Sequence, residues 1–247
     1  MRNYLSFGGG VNSVAMMLML LDQGADFEAV FVNHETDWPE TYEYFTMFQG
    51  WLVENGHRQI TELKPQLNIK RSGEVFDSLY EYCWSREMVP SFMSRWCTDK
   101  FKIRALKKYV ETPAFQYLGI DAGEAHRAKL NAFKGVENRF PLIEANINRA
   151  GCKDIIKSHG LPVPMKSGCY ICPFQKRGQW GELRRKHPCL FQDAVDLEQR
   201  NIKNRIKRGK APLYLFQSFK APLSAVVGET QRPVFKQDEY PPCECGL

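Results

Sequence analysis

Two stretches of the sequence carry residue types that do chemistry. The first is NYLSFGGGVNS, residues 3 to 13, where a β-type run feeds three consecutive glycines and an unbroken apolar run follows from Val14. Gly8, Gly9 and Gly10 accept positive φ values and let the backbone approach a phosphate closely. A helix opening behind them offers unpaired N–H groups and the positive end of its dipole. Asn12 and Ser13 are expected to cap that helix and to add side-chain donors. With Ser6 at the end of the strand, these residues form the candidate nucleotide-binding set. The spacing matches neither GxxxxGK[ST] nor GxGxxG, which leaves a phosphate loop of a third kind or a plain glycine turn.

The second stretch is Cys169-Tyr170-Ile171-Cys172-Pro173. Two residues between cysteines let both sulfurs reach one metal centre, and a proline after the second cysteine recurs at iron–sulfur sites. Cys97, just ahead of an expected helix start, and Cys189, after His187-Pro188, are the best further ligands for a four-cysteine site. An iron–sulfur cluster, a zinc ion closed by Cys97 or His187, and free or redox-active thiols are the three readings. Cys83 and Cys152 are expected to pack in the interior.

The eight cysteines come without a recognisable secretion signal, so thiols or metal ligands in a reducing cytoplasm are expected rather than a disulfide scaffold. At 247 residues the chain can bury a full core. Its longest apolar run, Val14 to Leu21, is well short of the ~20 residues of a membrane span, so no membrane partner is expected. Charge is uneven. Residues 176 to 210 hold eleven Lys and Arg against four Asp and Glu, an excess larger than the net +6 of the whole chain. Such a stripe suits an anionic partner, although the solvated face of a helix is the blander reading.

The elements that must position these residues alternate. After a first helix ending near Gly24, a second strand is expected over 27–36, and a helix opens at an Asp37–Glu40 capping box with Pro39 in its first turn. A strand over 58–63, a helix over 98–110 and a strand over 114–120 follow, with a basic amphipathic helix near 189–209. This order predicts an α/β fold with a doubly wound, mostly parallel sheet and ligands at the carboxyl ends of its strands. The expected organisation is an α/β nucleotide-binding domain over residues 1–150 and a small cysteine-bearing C-terminal region over 151–247 packed on it.

The glycine loop, GGGVNS, resembles the PP-loop SGGxDS of ATP pyrophosphatases and sulfonucleotide reductases, with Gly8 for the first serine and Asn12 for the aspartate. Further ordered matches resemble the PAPS reductase family. They are Arg95-Trp96-Cys97-Thr98 with Lys100 and Lys102, Gly119 to Glu124 followed by Arg127, Pro141-Leu142, Leu161-Pro162, and Ser167-Gly168-Cys169 with Cys172. The final Glu244-Cys245-Gly246-Leu247 is similar to the tail whose cysteine attacks the sulfonucleotide in true reductases.

The resemblance implies the adenine nucleotide alpha hydrolase-like fold and chemistry at or beside a nucleotide α-phosphate. Its implied catalytic residues are Cys245 as attacking thiol and Arg127 and Lys100 as stabilising cations. Glu124 joins the nucleotide-binding set, and Cys97, Cys169, Cys172 and Cys189 are the implied ligands of a 4Fe-4S cluster, with zinc as the alternative. A thiol or sulfur donor protein is the implied partner. Two rival functions share these features. One is an ATP pyrophosphatase that uses ATP with Mg2+ to adenylate a tRNA or DNA acceptor for sulfur transfer, with Glu35, Asp37 or Glu124 on the metal. The other is a non-catalytic, zinc-stabilised nucleotide- or nucleic-acid-binding module.

Overall fold

The computed structural model describes residues 1–91, 93–128, 131–216 and 220–227. β1 (Arg2–Phe7) runs into the glycine loop and α1 (Val11–Asp22), followed by β2 (Glu28–Val32), α2 (Pro39–Glu54) and β3 (Thr61–Leu63). A two-stranded antiparallel ribbon, β4 (Leu67–Asn68) with β5 (Val75–Phe76), leads to α3 (Leu79–Ser85). The expected helix over 98–110 is three pieces. They are α4 (Trp96–Thr98), one wide π-helical turn (Asp99–Ile103) and α5 (Arg104–Tyr109).

β6 (Ala114–Leu118), a 3-10 turn (Ala122–Arg127), β7 (Asn131–Phe133) and β8 (Val136–Arg139) complete the strands. α6 (Pro141–Glu144), α7 (Arg149–Ser158), α8 (Arg177–Lys186), α9 (Pro188–Lys207) and α10 (Leu223–Val226) follow.

The main sheet has the order β3-β2-β1-β6-β8-β7. Its first five strands are parallel, and only β7 pairs antiparallel, on the edge beside β8. The fold is thus the expected doubly wound, mostly parallel α/β sheet. From β1 the chain first builds outward through β2 and β3, then returns to place β6 on the other side. The strand order therefore reverses between β1 and β6, and such a reversal opens a crevice at the carboxyl ends of the two strands. The glycine loop sits at that point.

Residues of α1 are buried nearly throughout because the helix lies between the sheet and α7. Its core joins Leu5, Phe7, Leu18 and Phe48 to Cys152 and Ile156 of α7. A second core, built on Trp38, Phe101, Ile171 and Trp180, lies under α8 and α9. Cys83 and Cys152 are both buried in these cores, as expected of packing thiols.

Two expected helix caps do not form. The N-cap of α1 is Gly10 and makes no side-chain cap, because the helix starts at Val11 and puts Asn12 and Ser13 inside its first turn. The N-cap of α2 is Trp38, again without a side-chain cap. Asp37 lies one residue too early to cap it and is held instead in an antiparallel bridge with Cys169.

Beyond α9 the chain folds back over that helix. The buried carboxylate of Glu198 accepts hydrogen bonds from the backbone N–H of Leu215 at 2.7 Å and of Leu223 at 2.6 Å. Glu198→Ala strands both amides. Chemical denaturation is expected to show a loss of about 3 kcal/mol or more, since each buried unpaired group costs about 1–3 kcal/mol. Burial raises the Glu198 carboxyl pKa despite the two amides. Its contribution is therefore full below the ordinary carboxylate range and is lost as pH climbs through the raised value. Glu198→Gln should flatten that part of the stability–pH curve.

Candidate functional site

The β1–α1 loop is braced by Ser13, whose Oγ accepts from the backbone N–H of Gly8 at 3.2 Å and donates to the carbonyl of Gly10 at 3.0 Å. Gly9 makes the bend at φ +67°. A side chain has no room at Gly119, the residue after β6, because a Cβ there would lie 3.0 Å from the Ser13 backbone nitrogen. The two strand ends therefore meet backbone to backbone, and the first turn of α1 is held at the crevice. Asn12 donates to Asp121 Oδ2 at 2.9 Å and accepts from Arg149 at 3.5 Å, tying the loop to the 3-10 turn and to α7. Asp121 also caps that turn by accepting from Gly123 N–H at 2.8 Å.

Above this loop lies an open cleft of about 1070 Å3 including its solvent-filled mouth. It brings together the predicted Ser6, Gly8, Gly10, Asn12, Ser13, Glu124 and Arg127. Gly9 supplies the bend without lining the cleft. Arg127 and Glu124 form an ion pair at 2.6 Å inside it.

Lys100 lies elsewhere. Its ammonium donates to Tyr82 Oη at 2.7 Å and packs over the rings of Tyr82 and Trp96. Lys102, two residues on, reaches the cleft, as do Arg149 and Lys166, and sequence reasoning missed all three as site residues. The wide π turn over 99–103 contributes to this, because it changes which side chains of the segment share a face.

Next to the cleft is a second, smaller chamber lined by Cys97, Cys169, Cys172, His34 and Lys102, of about 470 Å3 on the same measure. Lys102 lines both spaces. The Cys-x-x-Cys turn is closed by the Cys172 N–H donating to the Cys169 carbonyl at 3.1 Å. Cys97 is the second residue of α4, whose N-cap Arg95 has a φ of +44°. Cys189 is exposed in the first turn of α9 and does not line the chamber. Cys245 lies outside the described residues. Glu35 faces solvent and pairs with Lys64 at 2.7 Å.

Burial dominates the electrostatics of the chamber. It raises the thiol pKa of Cys97, of Cys169 and, to about 11, of Cys172, and it lowers that of the His34 imidazole against the pull of Asp37. Lys102 is the exception. Burial works against its charge, but Asp37 and then Cys169, Cys97 and Cys172 outweigh it and raise the ammonium pKa. The arrangement offers anion-binding amides and cations beside a set of soft and imidazole ligands suited to a metal. Asp37 was among the carboxylates expected to hold Mg2+, whereas His34 was given no role. Both follow β2 at its carboxyl end, where a parallel sheet gathers its ligands.

A doubly wound sheet, a glycine loop opening the first helix and a cleft lined by lysines and arginines at the strand reversal define an α/β protein with its crevice at the carboxyl ends of the strands. The phosphoadenosine phosphosulfate reductase domain matches residues 2–146, and the chain belongs to that family. A solved structure of phosphoadenylyl-sulfate (PAPS) reductase from Candida auris, a phosphate complex, is similar at a TM-score of 0.47 and 14% identity. The match covers 66% of this chain and 75% of that one. No curated protein matches the chain.

Alkylation at neutral pH followed by peptide mapping should label Cys189 well ahead of Cys97, Cys169 and Cys172 in the folded protein. Equal labelling of all four would contradict the burial and raised pKa values described above.

Proposed function

We propose that the chain is a PAPS-reductase-like enzyme of sulfur metabolism that acts on a sulfonucleotide beside its α-phosphate. The observation that carries this reading is the convergence of loop amides, Ser13 and the cations Lys102, Arg127, Arg149 and Lys166 on one cleft that shares Lys102 with a thiol chamber.

In the proposed reaction a cysteine thiolate attacks the sulfur of the sulfonucleotide. The bond from that sulfur to the phosphate oxygen breaks, the sulfo group passes to the cysteine, and the nucleotide leaves with both bonding electrons. The new charge on the phosphate is what the amides and cations stabilise. A second thiol, from a donor protein, then attacks the cysteine sulfur. Sulfite is released with the electron pair, and a disulfide remains. Cys245 is proposed as the first thiol on the resemblance of the tail, and a cytoplasmic location belongs to the same proposal.

The iron–sulfur reading of the cofactor has partial support. Cys97, Cys169 and Cys172 share the chamber, but Cys189, the fourth ligand the resemblance implies, does not line it. No step is routed through a cluster. The carboxylates Asp37 and Glu124 at the cleft favour one second reading, ATP with Mg2+ cleaved to adenylate an acceptor such as tRNA or DNA. Among the described residues no helix is long and apolar enough to cross a membrane.

Paired assays decide between them. Sulfite from PAPS with a thiol donor is the expected product, whereas pyrophosphate from ATP with Mg2+ would establish the second reading, and neither product would reject both. Lys102→Ala should weaken nucleotide binding roughly tenfold to a hundredfold by calorimetry, the equivalent of a charged hydrogen bond of about 1.5–3 kcal/mol. Unchanged affinity would remove Lys102 from the site.

A further inference from the structure

We infer that His34, Asp37 and Cys169 form a site for one zinc-class divalent ion, set in the wall between the nucleotide cleft and the thiol chamber. Their ligand atoms all lie within 4.8 Å of one another. His34 Nε2 is 3.7 Å from Cys169 Sγ and 3.6 Å from Asp37 Oδ1. A tetrahedral zinc with ordinary bond lengths sets its ligand atoms about 3.5 Å apart for nitrogen and sulfur and about 3.3 Å apart for nitrogen and oxygen. Both distances from His34 are within a few tenths of an ångström of those values, and the Asp37 oxygen and Cys169 sulfur lie within 4.8 Å of each other.

The position is built rather than incidental. Trp38 N–H donates to the Gly168 carbonyl at 3.0 Å and Tyr170 N–H to the Thr36 carbonyl at 2.9 Å, so Asp37 and Cys169 face each other across a short antiparallel bridge. His34 is fixed from behind, where its carbonyl accepts from Leu79 N–H at 3.1 Å and from Thr36 Oγ1 at 2.9 Å. Asp37 Oδ1 is buried and accepts no hydrogen bond, although Asp37 is only 5% exposed. A buried carboxylate oxygen left in that state is costly, and a cation is the partner that answers it. The Asp37 carboxylate and a Cys169 thiolate together balance the two charges of the ion, with a neutral His34 as third ligand. Lys102 is the competing cation.

Three protein ligands leave a four-coordinate ion one position for water or for an anionic oxygen of a bound nucleotide. Asp37 lines the nucleotide cleft while His34 and Cys169 line the chamber, so the ion stands at their common wall. On this inference Cys169 ligates a mononuclear ion, in place of the cluster implied by the resemblance. The ion's role toward a nucleotide rests on the function proposed above, whereas its binding does not.

The test uses the full-length protein stripped with chelator and titrated with Co2+ alone. One equivalent should bind with a near-ultraviolet thiolate-to-cobalt band and the visible bands of tetrahedral cobalt. Asp37→Asn and His34→Gln, both close in shape to the native residue, should weaken Co2+ binding at least tenfold and alter the visible bands. Cys169→Ser should abolish the thiolate band, and Cys189→Ser should leave the spectrum unchanged. Circular dichroism of each variant reads folding separately.

The inference is overturned if folded wild type takes up no Co2+, which would leave Lys102 as the counter-ion of Asp37. It is also overturned if the cobalt spectrum is the same in Asp37→Asn and His34→Gln, or if the purified protein carries iron and sulfide in cluster stoichiometry with a chromophore that both variants retain. Calorimetry with adenine nucleotide runs alongside. Failure of nucleotide to bind while Co2+ binds as described defeats the functional reading and leaves the metal site standing.

Discussion

Two backbone hydrogen bonds, Trp38 to Gly168 and Tyr170 to Thr36, hold the rest of the site in place. They stitch the segment leaving β2 to the Cys-x-x-Cys turn, joining His34 to Cys169 across 135 positions of sequence. Side chains on flexible loops can meet in many ways. A paired bridge sets direction and register together, so Asp37 and Cys169 are neighbours by construction. The same bridge closes one wall of the cleft, since Lys166, Ser167 and Gly168 arrive with it and Ser167 comes up against Gly10 of the glycine loop.

Charge follows from that closure. The thiols of Cys97, Cys169 and Cys172 lie where burial penalises thiolates, and the nearby Lys102 ammonium stays charged because Asp37 and the sulfurs favour it. Lys102 stands between the glycine loop and a set of soft ligands and lines both spaces. A cation in that place favours negative charge on either side of it. The Arg127–Glu124 pair has the opposite character. It is locally neutral, and it orients a guanidinium at the cleft rather than adding net charge.

Much of the scaffold was legible. The strand, glycine loop and helix at the amino terminus, the crossovers to β2 and β6, and the basic helix after Pro188 all follow from local periodicity and from glycines that local geometry demands. The caps were not. Asn12, Ser13 and Asp37 are residue types that cap helices, but each has another partner, from far along the chain for Asn12 and Asp37 and from the glycine loop itself for Ser13. Asn12 is taken by Asp121, Ser13 by Gly8 and Gly10, and Asp37 by the Cys169 bridge. The choice of Lys100 over Lys102 failed for a related reason. A π turn shifts the helical phase, and nothing in the residue types of 99–103 announces it.

By itself, the sequence determined the types and order of most elements, the position of the glycine loop and the presence of a paired-cysteine turn. Each depends on neighbours a few residues apart, whose burial periodicity and backbone freedom are written locally. Only the tertiary structure decided which of the cysteines share a chamber, that Cys189 stands outside it, and that His34, Asp37 and Lys102 stand beside those that do. Such meetings depend on which strand lies next to β1 and on a bridge between distant loops. The free energy that selects them comes from packing and pairing summed over the whole chain.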